Sequence, residues 1–387
     1  MALPARSHAA EALVGGSLEP TPQGPILVAR RRYALLHREG SVPLAAALEP
    51  PPEVLSLLAR SREGSPPPHR LLYLDTETTG LAGGTGTYVF LVGVGFFDGE
   101  GFVVHQYFMR DLDEEPALLA ALDALLPRFA GVVTYNGRAF DLSLLETRFV
   151  LARRPWPESL WHLDLLPAAR RVWGSSLTDC RLTTVEAHAL GLSRTDDVPG
   201  ALIPSLYFDY LRRRHPAVLP KLFAHNRQDV LSLVALAGWM GRALSDPEGV
   251  SLRAEEYAGL GRLWEPWDGE RSQRCYRAAL DRRLPEPSRG RLLLRLAELA
   301  KRDRRWEEAC TLWETAIAGA GFHIRPWEEL AKYHEHRSRD VPRASCLVTE
   351  ALRRARAAAA DPLVIERLTY RLARLTRRLG DGRASPA

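Results

Sequence analysis

The stretch LLYLDTETTGLAGGTGTYVFLVGVG, residues 71–95, combines two features that could each carry a function. Two acidic residues, Asp75 and Glu77, interrupt an apolar run, and a glycine-rich patch follows them. A phosphate-binding loop requires Lys and then Ser or Thr after its glycines, at the start of a helix. Here the glycine-rich segment 83–87 leads into the β-branched and aromatic run 88–92, which contains no Lys. We therefore predict a tight turn between two strands and assign the glycines a structural role.

The two acids need a separate explanation. Side chains alternate along a strand, so residues 75 and 77 point to the same face and their carboxylates can share one cation. Burying two carboxylates without a metal ion or a base costs free energy. A strand end that emerges into solvent would carry the same two acids at no cost. The pair by itself leaves both interpretations open.

The composition sets limits on the class of protein. The chain has 387 residues, 46% of them hydrophobic, which is enough for a large core and suggests two or three domains. The sequence has no signal-peptide core and no run of 18 uncharged apolar residues. We expect a soluble, cytoplasmic protein without a membrane partner. The cysteines are too far apart for a zinc site or a redox pair and are expected to be reduced and buried: Cys180, Cys275, Cys310 and Cys346.

Three segments of the chain differ in composition and net charge. Residues 1–70 form a Pro-rich arm with net charge +2, which we expect to pack on the next domain. Residues 71–245 carry a net charge of −3, and residues 246–387 carry +6. Arginine supplies 49 of the 52 basic residues. Arginine suits forked contacts to phosphate, although a GC-rich genome that favours Arg codons explains the bias equally well.

Residues 71–245 have the pattern of an α/β domain. Apolar runs predict strands, and helical periodicity predicts an amphipathic helix that begins near Glu114. Strands followed by alternating helix and strand indicate a sheet of mixed direction. The predicted strands are LLYLD, TYVFLVGVGFF, FVVHQYFM and GVVTYN, and the predicted helices are EEPALLAALDALLPRF and AFDLSLLETRFVLA.

Residues 246–387 show a helical repeat without strands. The small residues Gly261, Ala297 and Ala331 are 36 and 34 positions apart, close to the 34-residue period of tetratricopeptide repeats. A small residue is needed where the two helices of a unit cross closely. A last amphipathic helix, residues 363–379, would cap the stack. A generic helical bundle is the alternative, and we favour the repeat.

Two further segments bring polar residues next to apolar runs. VVTYNGRAFDLSLL places Asn136 at a strand end and Asp141 near a helix start, where a negative charge is favoured. LFAHNRQDVLSLVAL places His225 and Asp229 four residues apart, on one face of a helix. Together with the acids at 75 and 77, the sequence offers four carboxylates and one imidazole for a single site.

These residues resemble a known catalytic set. Asp75-x-Glu77, Asp141 and Asp229 resemble the four acids of the DEDD exonucleases, which have a ribonuclease H-like fold. The strings LDTETTGLAGGTGT and HNRQDVLSL resemble more closely the bacterial YprB-like branch, described as ribonuclease H-like or exonuclease-like. The resemblance covers about residues 71–245, with a similar N-terminal arm, and leaves the repeats outside the catalytic domain.

The resemblance implies a metal-dependent 3′ to 5′ exonuclease. Two Mg²⁺ or Mn²⁺ ions about 4 Å apart would activate water and stabilise the leaving oxygen of a phosphodiester. Asp75 would bridge the ions, and Glu77, Asp141 and Asp229 would complete their ligands. His225 would orient or deprotonate the attacking water. The product would be a nucleoside 5′-monophosphate.

The resemblance also implies a substrate, the single-stranded 3′ end of DNA or RNA. Three weaker candidates for substrate contact are Thr79, Asn136 and Arg181. A protein partner could bind through the helical repeats. We expect Asp164 to cap a helix rather than to join the four acids.

One departure from the family pattern concerns His225. The exonucleases divide into a class with His five positions before the last Asp and a class with Tyr four positions before it. This chain has His four positions before Asp229. The departure keeps a second hypothesis open, a ribonuclease H-like scaffold that binds nucleic acid or protein without cleaving it. The presence of all four acids favours the enzyme.

Overall fold

The computed structural model of the chain describes residues 8–80, 84–157, 160–213, 216–319 and 321–381. The chain divides into two compact units, Met1–Ser272 and Gln273–Ala387. Residues 81–83, which include the first glycine of the predicted turn, lie outside the described residues.

The first unit contains a seven-stranded mixed sheet in the order β1-β2-β7-β6-β5-β8-β9. Strands β1, β2, β7, β6 and β5 pair antiparallel, whereas β8 and β9 run parallel to β5. A separate two-stranded ribbon pairs β3 with β4. The strands are β1 Gly16–Thr21, β2 Gly24–Tyr33, β3 Arg38–Glu39, β4 Val42–Pro43, β5 Leu71–Thr78, β6 Val89–Phe97, β7 Phe102–Phe108, β8 Gly131–Thr134 and β9 Trp161–Asp164.

Helices cover the sheet and make the crossovers that parallel strands require. The helices of the first unit are α1 His8–Val14, α2 Pro52–Ala59, α3 Glu115–Leu125, α4 Asp141–Leu151, α5 Leu165–Trp173, α6 Leu182–Val185, α7 Ile203–Arg213, α8 Leu219–Ser245 and α9 Ala254–Trp264. Because α3 returns the chain from β7 to β8 and α4 from β8 to β9, the carboxyl ends of β5, β8 and β9 share one edge of the sheet. That edge is where polar side chains collect.

The four predicted strands correspond to β5, β6, β7 and β8, and the two predicted helices to α3 and α4. Helix α3 begins at Glu115, one residue from the predicted start. Strand β9 has no counterpart among the predictions, since its four residues are too few for alternation to be recognised. The predicted mixed sheet followed by a helical region is confirmed.

Helix α8 lies close against the sheet because two glycines of β6 leave room for it. A Cβ at Gly93 would lie 2.2 Å from Asn226 Oδ1, and one at Gly95 would lie 2.6 Å from Val230 Cγ1. Heavy atoms cannot approach so closely, so a larger residue at either position would push the helix away. The glycines therefore bring the polar residues of α8 within reach of β5.

Helix α9 belongs to the first unit, although the sequence predicted it as the first helix of the repeats. Trp173 Nε1 at the end of α5 donates to Glu256 Oε1 of α9 at 2.9 Å, and both side chains are buried. Gly259 allows close contact, since a Cβ there would lie 2.5 Å from Val172 Cα. The division of the chain after residue 272 thus differs from the domain boundary predicted near residue 246.

The remaining helices follow as α10 Gly269–Asp281, α11 Ser288–Arg302, α12 Trp306–Ala318, α13 Ile324–His336, α14 Val341–Ala357 and α15 Pro362–Asp381. The small residues Ala297 and Ala331 are fully buried beside the large side chains of Trp313 and Trp327. Helix α11 packs against α12, and α13 packs against α14, as the predicted repeat requires, but its tetratricopeptide class stays a prediction.

Two features predicted from the composition are the lack of a membrane-spanning segment and the burial of the cysteines. No helix among them is both long enough and apolar enough to cross a membrane. All four cysteines are free, but only Cys275 is buried and Cys346 is exposed, so the prediction of buried thiols is wrong for Cys346. That residue lies on α14 away from the buried stripe formed by Ala344, Leu347 and Val348.

Candidate metal centre

The structure brings the four predicted acids together at the carboxyl end of β5. Asp75 and Glu77 lie on β5, Asp141 is the first residue of α4, and Asp229 lies on α8. Burial raises the pKa of Asp75 well above its usual range, and the nearby carboxylates of Asp229, Glu77 and Asp141 raise it further. Mutual repulsion of this kind requires that the four carboxylates lie close to one another. The acids therefore form one cluster.

Burial of the Glu77 carboxylate in this cluster costs free energy. The residue is only 9% solvent-accessible, and among the described residues its Oε1 has no hydrogen-bond partner. Burial raises its pKa strongly, and the neighbouring carboxylates of Asp229 and Asp141 add to the effect. A buried carboxylate oxygen without a partner is costly unless a cation satisfies it. Glu77 thus has the environment expected of a metal ligand.

Asp141 is held in place by the strand that carries the other acids. Its Oδ1 accepts hydrogen bonds from Thr76 N at 3.1 Å and from Thr76 Oγ1 at 2.6 Å. Burial raises the pKa of Asp141 to about 6, despite the hydrogen bonds from Thr76, which lower it. Through these two hydrogen bonds Thr76 links α4 to β5.

Asp75 is oriented by a buried amide pair. Asn226 Nδ2 donates to Asp75 Oδ2 at 2.8 Å, and Gln106 Nε2 donates to Asn226 Oδ1 at 2.9 Å. Gln106 also donates to the Phe223 carbonyl at 2.8 Å, which ties β7 to α8. The sequence prediction did not include Asn226 or Gln106. The one available signal was the position of Asn226 directly after His225, in the short polar run of a largely apolar helix.

His225 lies in the same cluster and contacts three acids. Its Nδ1 is 2.7 Å from Asp197 Oδ1, and its Nε2 is 3.9 Å from Glu77 Oε1 and 3.6 Å from Asp229 Oδ2. One ligand atom each from Glu77, His225 and Asp229 lie within 4.8 Å of one another, a spacing that can hold a metal ion. The four-residue spacing of His225 and Asp229 on α8 therefore points both side chains into the cluster.

Arg194 closes the cluster on the side of the loop before α7. Its guanidinium donates to Asp229 Oδ1 at 2.5 Å, to Glu186 Oε2 at 2.8 Å and to Asp197 Oδ2 at 3.0 Å. The Arg194 side chain is only 9% exposed, so these ion pairs are poorly screened by solvent. Although burial raises the pKa of Asp197, the hydrogen bonds from His225 and Arg194 hold it below its usual value. Arg194 and Asp197 were missed because their segment has only a loop composition.

The three weaker candidates for substrate contact have different surroundings. Thr79 pairs with Tyr88 across the turn, since its Oγ1 accepts from Tyr88 N at 2.9 Å. Asn136 adopts a positive φ of 67° and its backbone N donates to Asp164 Oδ1 at 2.7 Å. The Arg181 side chain is 82% exposed and lies 3.8 Å from Asp179. None of the contacts described for Thr79 or Arg181 reaches the acid cluster, and the roles of all three stay proposals.

Asp164 caps helix α5, as predicted, since its Oδ1 accepts from Leu166 N at 3.1 Å. It also interacts electrostatically with Asp141 and raises that residue's pKa. The acid therefore borders the cluster while its hydrogen bonds serve the backbone.

The donor set fits hard divalent cations. Carboxylate oxygens are the ligands that Mg²⁺ and Mn²⁺ prefer, and the cluster holds more negative charge than Arg194 can balance. The unpartnered Oε1 of Glu77 and the raised pKa of Asp75 both indicate where positive charge is lacking. Asp75, Glu77, Asp141 and Asp229 could each supply a ligand oxygen.

Comparison with known proteins agrees with this geometry. The chain is 33% identical over 315 residues to the "Uncharacterized protein YprB" of Bacillus subtilis (strain 168), covering 80% of this chain and 75% of the relative. This chain belongs to the YprB-like family. Residues 72–241, which include all four acids and His225, match the RNase_H superfamily. Membership in this superfamily, which includes nucleases, agrees with the proposed use of divalent metal by the cluster.

A weaker similarity was found among solved structures. The family B DNA polymerase from the hyperthermophilic archaeon Pyrobaculum calidifontis superposes with a TM-score of 0.34 and 14% sequence identity. The match covers 64% of this chain and 34% of the polymerase chain.

Proposed function

We propose that this YprB-like protein is a metal-dependent 3′ to 5′ exonuclease that hydrolyses phosphodiester bonds in nucleic acid. The observation that carries the proposal is the convergence of four buried or partly buried carboxylates from β5, α4 and α8 on one site. Such a cluster costs folding free energy without a cation, so its presence in a ribonuclease H-superfamily domain supports a function that uses the metal.

The residues of the cluster have separable roles in this proposal. Asp75 would be the ligand shared by the Mg²⁺ or Mn²⁺ ions, since Asn226 orients its carboxylate and the other three acids all interact with it. Glu77, Asp141 and Asp229 would complete the ligand sets. The metal ions, when bound, would activate a water and stabilise the leaving oxygen. His225 faces the same site and is the remaining catalytic candidate.

The proposed substrate is based on the charge of the first unit and on the direction of the proposed hydrolysis. The first unit carries a net charge of −5, so it would attract a polyanion mainly through its bound cations. We propose the single-stranded 3′ end of DNA or RNA as substrate, with a nucleoside 5′-monophosphate as product. Asn136 and Asp164 lie at the rim of the cluster, where the terminal nucleotide would approach.

Digestion of labelled strands tests the proposal directly. DNA and RNA labelled at the 3′ or the 5′ end are incubated with the full chain and Mn²⁺, Mg²⁺ or a chelator. We expect immediate release of the 3′ label as a mononucleotide, progressive shortening of the 5′-labelled strand, and no cleavage with chelator.

Matched variants separate the site from a contaminating nuclease. Asp75→Asn should lower the rate by at least about a hundredfold, because it removes the bridging charge. Asp209→Asn, which changes an exposed acid paired with Arg212, should leave the rate unchanged. Binding of strands without metal-dependent cleavage would contradict the enzyme and favour a non-cleaving scaffold.

A further inference from the structure

The distances from the His225 ring to the neighbouring carboxylates are not explained by a role in activating water. Its Nε2 lies 3.6 Å from Asp229 Oδ2 and 3.9 Å from Glu77 Oε1. Both distances exceed the usual hydrogen-bond length of about 2.7–3.2 Å. They fall between the separations of adjacent and opposite ligands, about 3.0 and 4.2 Å, around a cation with metal–ligand distances of about 2.1 Å. The space between the three groups suits a shared metal ion better than direct contact.

The other ring nitrogen of His225, Nδ1, is already hydrogen-bonded. Nδ1 of His225 lies 2.7 Å from Asp197 Oδ1, so an Nδ1–H donates to that carboxylate. Asp197 in turn accepts from Arg194, which also holds Asp229. A carboxylate on one ring nitrogen fixes the tautomer and directs the lone pair of the other nitrogen, the arrangement common to metal-binding histidines. The lone pair of Nε2 therefore points toward Glu77 and Asp229.

A second observation points to a ligand at the same place. Glu77 Oε1 is buried and has no hydrogen-bond partner among the described residues, and it lies opposite Nε2. Glu77 as a residue is only 9% exposed, so solvent does not readily satisfy this oxygen. A cation between Nε2, Oε1 and Asp229 Oδ2 would satisfy all three atoms.

We propose that His225 is a metal ligand through Nε2, that Asp197 positions it, and that the mixed nitrogen and oxygen site selects Mn²⁺ over Mg²⁺. The proposal rests on the metal site of the proposed function and assigns one of its ligands. Imidazole nitrogen binds transition-metal ions well and Mg²⁺ poorly, whereas carboxylates bind both. The four-residue spacing of His225 and Asp229, the departure from the exonuclease pattern, brings the ring into ligand position.

The test removes only the metal-facing nitrogen. In His225→Asn the side-chain amide can take the place of Nδ1 and keep the hydrogen bond to Asp197, while nothing replaces Nε2. The control is His188→Asn, which changes a partly buried histidine bonded to Glu256 outside the cluster. Mn²⁺ and Mg²⁺ affinities are measured by calorimetry on the full chain, and melting temperatures show that each variant is folded.

We expect His225→Asn to weaken Mn²⁺ binding at least about tenfold, to change Mg²⁺ binding much less, and so to reduce the preference for Mn²⁺. The control variant should bind both ions as the unmodified chain does. Electron spin echo spectra of the Mn²⁺-loaded unmodified chain should show coupling to a ¹⁴N nucleus, which carboxylate ligands cannot give. The coupling should disappear in His225→Asn.

Two results would overturn the proposal. Unchanged Mn²⁺ affinity in a folded His225→Asn variant, with slower cleavage, would make the residue a base that acts on water. Absence of ¹⁴N coupling in the unmodified chain would exclude ligation whether or not the variant folds. Metal binding through His225 without any strand cleavage would instead support the ligand assignment and contradict the exonuclease.

Discussion

At Asp141, burial and hydrogen bonding act in opposite directions on one carboxylate. The residue is 9% exposed, and burial raises its pKa from 3.8 to about 6 although Thr76 donates two hydrogen bonds to it. A group with a raised folded-state pKa destabilises the folded state once the unfolded chain has lost its proton. The cost is absent below pH 3.8, grows as the pH rises, and is complete above about pH 6.

This cost predicts the effect of neutralising the residue. In the presence of chelator, Asp141→Asn should raise the free energy of unfolding by up to about 3 kcal/mol at pH 8, because the amide oxygen keeps the Thr76 hydrogen bonds without the charge. Below about pH 4 the gain should vanish, which provides an internal control. Denaturant unfolding at several pH values measures it. Equal stability of variant and unmodified chain at pH 8 would contradict the argument.

Between elements, the contact of α8 with β6 determines where the site residues lie. Gly93 pairs with Asp75 across the two strands, and the amide of Asn226 fills the space above Gly93. The same amide donates to Asp75. Residue 93 therefore controls both the distance between helix and sheet and the orientation of Asp75, a proposed metal ligand. A change in that distance would alter stability and catalysis together.

Gly93→Ala tests this dependence. Its Cβ would lie 2.2 Å from Asn226 Oδ1, so we expect a loss of about 1–3 kcal/mol of stability and a fall in metal-dependent cleavage. Gly86→Ala is the matched control, since a Cβ there has no heavy atom within 4 Å, and it should change stability by less than about 0.5 kcal/mol. Thermal melts and the strand-cleavage assay measure both. Similar behaviour of the two variants would show that α8 adjusts without cost.

For the whole molecule, the division into units sharpens the charge difference along the chain. Residues 273–387 hold 25 basic and 15 acidic side chains, a net charge of +10, whereas residues 1–272 have a net charge of −5. Helical repeats commonly present a binding surface, and a surface rich in arginine favours phosphate. The catalytic chemistry and much of the affinity for long strands would then belong to different units.

Truncation tests this separation of roles. A chain ending at residue 272 keeps α9, and with it the Trp173–Glu256 contact that a chain ending at residue 245 would lose. We expect the longer fragment to cleave short strands normally and to lose activity on long single strands, most strongly at low salt, because phosphate contacts weaken as salt rises. Cleavage is measured across a salt series. Identical salt slopes for full chain and fragment would indicate that the second unit binds a protein instead.

The sequence determined the features that depend on local periodicity. Alternation along β5 placed Asp75 and Glu77 on one face, and helical spacing placed His225 beside Asp229. These patterns, with the start of α3 near Glu114, follow from the geometry of a single strand or helix. They can therefore be recognised without knowledge of the rest of the chain.

Only the tertiary structure decided which distant residues complete the site. Gln106 reaches Asn226 across 120 positions, and Arg194 reaches Asp229 across 35 positions. Arg194 lies in a segment whose composition indicates only a loop, and such a segment has no period that fixes the direction of a side chain. The contact of α9 with α5 likewise arises from packing between elements far apart in the sequence. Contacts of this kind form when separate elements pack together, so no local pattern in the sequence encodes them.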